Sequence, residues 1–80
     1  MATDGIAVQK LFGKVLRAVR TERETSQQDL ALEADLDRTH ISMLESELRQ
    51  PTLSTLIALA SAMGIDADSL VRETTDRLRK

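Results

Sequence analysis

The sequence predicts an all-α domain of five helices, and three observations carry that prediction. Apolar residues make up 41% of the chain, nearly all of them Leu, Ala, Val, Ile and Met, with Phe12 the single aromatic. A core of that composition is aliphatic helix packing. Cap and stop residues recur at helix-length intervals, with Ser26, Asp37, Thr52 and Asp66 as openers and Pro51 and Gly64 as breakers. Between them, apolar residues return every three or four positions. There is no repeat, low-complexity tract or linker, and 80 residues leave no space for a second core, so residues 1–80 are expected to form one domain.

The first helix is expected from about residue 6 to 24. On a helical wheel Leu11, Phe12, Val15, Leu16 and Val19 fall in one arc, opposite Lys10, Lys14 and Arg17. Gly13 costs up to about 1 kcal/mol in a helix interior. It marks either a close backbone approach or a tolerated surface glycine. Ser26 opens the second helix, where its hydroxyl can accept from the Asp29 N–H in a capping-box-like S-x-x-D. Leu30, Ala31 and Ala34 then point inward, and Gln28, Asp29, Leu32 and Glu33 point out. The chain turns through Asp35 and Leu36, and Asp37 caps the third helix.

On that third helix Ile41 and Leu44 face inward. The opposite stripe holds Arg38, Thr39, Ser42, Met43 and Ser46, a face of short hydroxyls with one arginine and no lysine or glutamate. It is either a wet surface or a face shaped for a DNA major groove, propped by the preceding helix. Pro51 pushes Gln50 out of helix. Pro51 or Thr52 begins a fourth helix with Leu53, Leu56, Ile57, Ala60 and Met63 as its main inward arc. Leu59, Ala58 and Ala62 extend that arc almost all round, and Gly64 closes the helix in the left-handed region. Asp66, helped by Asp68, starts a fifth helix bearing Leu70, Val71, Thr74 and Leu78. The tail Asp76–Lys80 is expected to fray.

Composition narrows the function. The net charge of −2 argues at first against nucleic acid, but distribution matters more than the sum. Residues 10–23 hold Lys10, Lys14, Arg17, Arg20 and Arg23 against one acid, Glu22, while acids crowd 29–37 and 66–76. A basic edge with acidic flanks can bind DNA in one orientation and resist sequence-blind adsorption; ordinary solvated helix faces explain the same charges. The chain has no cysteine and one histidine, which removes disulfides, thiolate chemistry and a zinc site. There is no glycine-rich phosphate loop and no carboxylate pair, so the chain is read as neither an enzyme nor a cofactor carrier. The start MATDGIAV lacks the features of a signal peptide, and no apolar run approaches about 18 residues. The expectation is a cytoplasmic chain with no membrane partner.

The string from Phe12 to Ile65 resembles the Cro/CI-type (lambda-repressor-like, XRE) helix-turn-helix family. The resemblance spans about residues 11 to 71 and rests on the joint order of Phe12-Gly13, Leu16-Arg17, Arg20, Ser26-Gln27, Leu30-Ala31, Ile41-Ser42, Leu44-Glu45, Pro51, Leu56, Ala60 and Gly64. Leu36-Asp37-Arg38-Thr39 before Ile41-Ser42 makes the chain most similar to the small controller proteins of restriction–modification systems. Glu24, Asp35 and Glu47 stand where the family often has glycine, so three turns must form without glycine's freedom.

The resemblance implies roles for particular residues. Arg38, Thr39, His40, Ser42 and Met43 would contact bases: Arg38 would reach guanine O6 and N7, and Met43 a thymine methyl. His40, at the border of the inward face, is equally a DNA contact or a packing residue. Arg17, Ser26, Gln27, Arg49 and Gln50 would meet the DNA backbone, with Gln27 also bracing the third helix; the charge of Glu47 counts against Arg49. Arg20 and Glu45 would pair across the interior as a structural salt bridge.

The implied protein is a homodimeric transcription regulator on a pseudo-palindromic operator, its half-sites about 34 Å apart. Leu59, Ile65, Val71, Thr74 and Leu78 are the expected dimer patch. No small-molecule effector is expected. Leu32 beside Asp29 and Glu33 is either a contact for RNA polymerase or a solvated face. The alternative reading is an antitoxin-type protein-interaction module on the same fold.

Overall fold

The computed structural model describes residues 4–79, and these form five helices with no strand among them. They are α1 (Gly5–Glu22), α2 (Gln27–Ala34), α3 (Arg38–Glu45), α4 (Leu53–Ala62) and α5 (Ala67–Leu78). The readings made on Met1–Thr3 and on Lys80 fall outside the described residues.

Each helix starts on a predicted or neighbouring cap. Asp4 accepts from the Ile6 N–H, Ser26 from Asp29 and Thr52 from Thr55, at 2.9 to 3.1 Å. Asp37 and Asp66 occupy cap positions as expected, but their side chains make no capping bond. At Asp37 the backbone carbonyl serves instead, accepting from His40 and Ile41. α5 stays helical to Leu78, two residues past Asp76, where the sequence predicts that fraying begins.

Four helices end in one motif. After α1, α2, α3 and α4 the chain turns back with paired bonds such as Glu24 N–H to Thr21 and Thr25 N–H to Arg20. The residues in the left-handed position are Glu24, Asp35, Glu47 and Gly64, at φ of 55°, 56°, 67° and 70°. Only the last is glycine. The expectation that the other three turns form without it is therefore met, at a cost in backbone strain.

The core is aliphatic around Phe12. Val15 and Leu16 of α1, Leu30, Ala31 and Ala34 of α2, Ile41 and Leu44 of α3, Leu59 and Ala60 of α4 and Leu70 of α5 are all buried. α1 packs most extensively on α5 and also lies along α3, while α2 bridges α3 and α4. Gly13 is a close approach rather than a tolerated gap. A β-carbon there would collide with the Leu44 carbonyl and come within 3.3 Å of that of Glu45.

The fourth helix is rotated from the expected register. Its buried side is Thr55, Leu59, Ala60 and Met63, with Leu56 half-buried, whereas Leu53 is 72% and Ile57 52% exposed. The reason lies at its start. The Thr52 hydroxyl caps the helix and donates to the Thr55 hydroxyl at 3.0 Å, so Thr55 is carried inward with its polar atom satisfied.

Candidate nucleic-acid interface

α2 and α3 are joined through Asp35, Leu36 and Asp37, with Leu36 folded back onto the core. α3 has only eight residues, too few to be stable alone, so its placement depends on what holds its inner side. Ile41 and Leu44 are fully buried, and Glu45 beside them is 8% exposed. Glu45 is met by Arg20 from α1, whose Nε and Nη2 donate to its two oxygens at 2.6 and 3.0 Å. A third donor, Gln27 Nε2 at the start of α2, reaches the same carboxylate at 3.1 Å. Arg20 also donates to the Thr25 carbonyl at 2.8 Å. The implied salt bridge and the bracing role of Gln27 are thus both present. The hydrogen bonds that the guanidinium donates to Glu45, more than the charge of that carboxylate, hold the Arg20 pKa above the ordinary value against the opposing pull of burial.

With its inner side fixed, α3 presents the predicted stripe. Arg38, Thr39 and Ser46 are exposed, and Ser42, Met43 and His40 are half-buried. No carboxylate of α3 lies on that face, because its one acid is turned inward to Arg20. A face with hydrogen-bond donors, hydroxyls and a thioether, and no negative charge, can approach base edges without repelling phosphate.

The residues expected at the DNA backbone differ in their freedom. Arg17 and Arg49 are exposed. Ser26 uses its oxygen as an acceptor for the Asp29 N–H and keeps its own hydrogen to donate. Gln50 commits one amide hydrogen to the Gly5 carbonyl at 2.6 Å, leaving the other. Gln9, which the sequence reading passed over, donates to the Glu47 carbonyl at 2.8 Å. A polar residue at the edge of an apolar arc carries no periodic signal that would have singled it out.

The expected dimer patch is corrected at two positions. Leu59 is fully buried in the core and cannot meet a partner. Thr74 is buried too, with its hydroxyl bonded to the Leu70 carbonyl at 2.8 Å. The rotated register of α4 puts Leu53 and Ile57 outside instead, where Val71 is also exposed. A groove of about 390 Å³ runs between α1, α4 and α5, lined by Val8, Phe12, Pro51, Leu53, Leu56, Val71 and Leu78, with Thr74 at its side. No single described helix is long and apolar enough to cross a membrane.

Comparison with known proteins agrees with this geometry. A family model described as Helix-turn-helix matches residues 16–70. The immunity repressor protein of Bacillus phage phi105 is 40% identical over 63 residues, which cover 79% of this chain but 44% of that protein. The control protein C.BamHI of Bacillus amyloliquefaciens is 35% identical over 69 residues, covering 85% of both chains. Among solved structures, the restriction–modification controller protein C.AhdI of Aeromonas hydrophila superposes with a TM-score of 0.75 at 34% identity. That match covers 78% of this chain and 94% of the other.

Proposed function

The chain belongs to the helix-turn-helix family, and from that membership and the geometry of α2 and α3 we propose that it is a sequence-specific transcription regulator acting as a homodimer on a pseudo-palindromic operator. The observation that carries the reading is the division of α3 into two faces. One is locked by the three bonds to Glu45; the other exposes Arg38 and Thr39, with Ser42 and Met43 partly exposed beside them. In this reading Arg38 reads guanine, Met43 meets a thymine methyl, and Thr39, Ser42 and His40 complete the contact with the bases. Arg17, Ser26, Gln27, Arg49 and Gln50 meet the flanking phosphates, helped by the free N–H groups at the start of α2.

The dimer forms through the outer sides of α4 and α5, where Leu53, Ile57, Val71 and Leu78 are joined by Ile65. Similarity to control proteins over most of their length supports the narrower reading of a restriction–modification controller. The dimer acts in the cytoplasm, needs no effector and no catalytic step, and is governed by its own concentration. Leu32, exposed between Asp29 and Glu33, is the surface through which the bound dimer would touch RNA polymerase.

A gel shift on the DNA upstream of the protein's own gene tests the reading. Specific retardation is expected, and Arg38→Ala should cost about 1–3 kcal/mol per half-site. Bands indifferent to sequence and to Arg38 would overturn it.

A further inference from the structure

Positions 5, 9 and 13 of α1 follow at intervals of four and so form one stripe along the helix. All three meet the end of α3 or the loop after it. Gly13 lies against the carbonyls of Leu44 and Glu45. Gln9 Nε2 donates to the Glu47 carbonyl at 2.8 Å in a part-buried bond. Gly5 offers its carbonyl to Gln50 Nε2 at 2.6 Å. Two side-chain amides therefore pin the loop at both ends, and Arg49 stands exposed between them. The turn bond from the Leu48 N–H back to the Met43 carbonyl closes the end of α3 just before that point.

We propose that Gln9 is a positioning residue for DNA binding. By holding the Glu47 carbonyl, with Gln50 anchoring the far end on Gly5, it fixes the backbone from which Arg49 reaches a DNA phosphate. Gln9 itself is half-buried on α1 and acts through Arg49 without touching DNA. An amide suits the task because it donates without adding charge; a glutamate there would have no hydrogen to give and would repel the carbonyl. Arg49 then meets its phosphate from a loop that is already ordered, so less freedom is lost on binding. The inference rests on the proposed reading of the chain as a DNA-binding regulator.

The test uses a duplex selected by the wild-type protein from a randomised library, and compares Gln9→Ala, Arg49→Ala and the double variant. Gln9→Ala is expected to weaken binding about fivefold in the wild-type background and by less than about twofold when Arg49 is already alanine. It should also make the dependence of log affinity on log salt shallower, toward the slope of Arg49→Ala, by about 0.9 for each phosphate lost. In the free protein, amide exchange at Glu47 and Leu48, whose N–H groups are bonded to Leu44 and Met43, should quicken in Gln9→Ala while Ile41 and Leu44 keep their protection. Gln9→Met, which keeps the length of the side chain and removes only its donor to the Glu47 carbonyl, should show the same dependence on Arg49 and covers the case in which Gln9→Ala folds poorly.

Losses that simply add in the double variant, or an unchanged salt slope, would overturn the positioning role. A wild-type protein that selects no sequence would sink the functional reading. Specific wild-type binding that is indifferent to both Gln9→Ala and Gln9→Met would sink the clamp alone.

Discussion

Glu45 accepts three side-chain hydrogen bonds, two from Arg20 and one from Gln27, with 4% of its side chain exposed. A carboxylate so enclosed is stabilised only by its partners, so removing one side of the pair leaves an uncompensated charge. Glu45→Ala should cost about 3–5 kcal/mol in urea denaturation; a loss below about 1 kcal/mol would contradict the buried pairing. Because the Arg20 pKa is raised by its bonds to Glu45, its share of that stability is present at neutral pH and is lost as pH climbs through a strongly alkaline range. The pair was legible through the resemblance, since Arg20 and Glu45 each sit only at the border of an apolar arc, a position that by itself names no partner. Gln27 as a brace was legible in the same way. Gln9 and the amide of Gln50 were not, because their acceptors are backbone carbonyls distant in sequence, and no side-chain pattern encodes a carbonyl.

Among the elements, the helix termini were readable and one helix rotation was not. Ser26 and Thr52 cap where expected, and the three acidic turn residues adopt the left-handed conformation that glycine would adopt more cheaply. Glu24 is the simplest to relieve, being exposed with its N–H bonded to the Thr21 carbonyl. Glu24→Gly trades strain of about 1–3 kcal/mol for a backbone entropy cost of about 0.5–1 kcal/mol. The melting temperature should rise by a few degrees, and an unchanged or lower value would mean the turn is unstrained. α4 was misread for a physical reason. Apolar residues run almost all round it, and only Ser54 and Ser61 mark the side that turns outward, so the wheel alone defines the rotation weakly. The inward side carries Thr55, its hydroxyl paired with that of Thr52, while Leu53 and Leu56 line the groove between α1, α4 and α5.

For the whole molecule, the exposed apolar side of α4 and α5 is the feature a lone subunit explains least. Leu53, Ile57 and Val71 are all open to solvent beside the groove, and a domain of 80 residues gains from covering them. Val71→Arg should yield a folded monomer in sedimentation at concentrations where the wild type is dimeric, and should lose affinity for a two-half-site duplex far more than for a single half-site. Persistence of the dimer would move the interface elsewhere. The charge pattern also operates at this scale: with acids in 29–37 and 66–76 and a net charge of −2, sequence-blind attraction to DNA should be weak, which would leave discrimination to the proposed contacts of α3.

α1 touches both ends of this arrangement, lying along α3 on one side and α5 on the other. The helix proposed to read DNA and a helix proposed to pair are thus packed on the same element. The proposed dimer would therefore be a fixed ruler, tied to the pitch of the duplex. Half-sites separated by a further half turn of B-DNA, about five base pairs, would present their grooves on opposite faces, and one recognition helix would be left facing solvent.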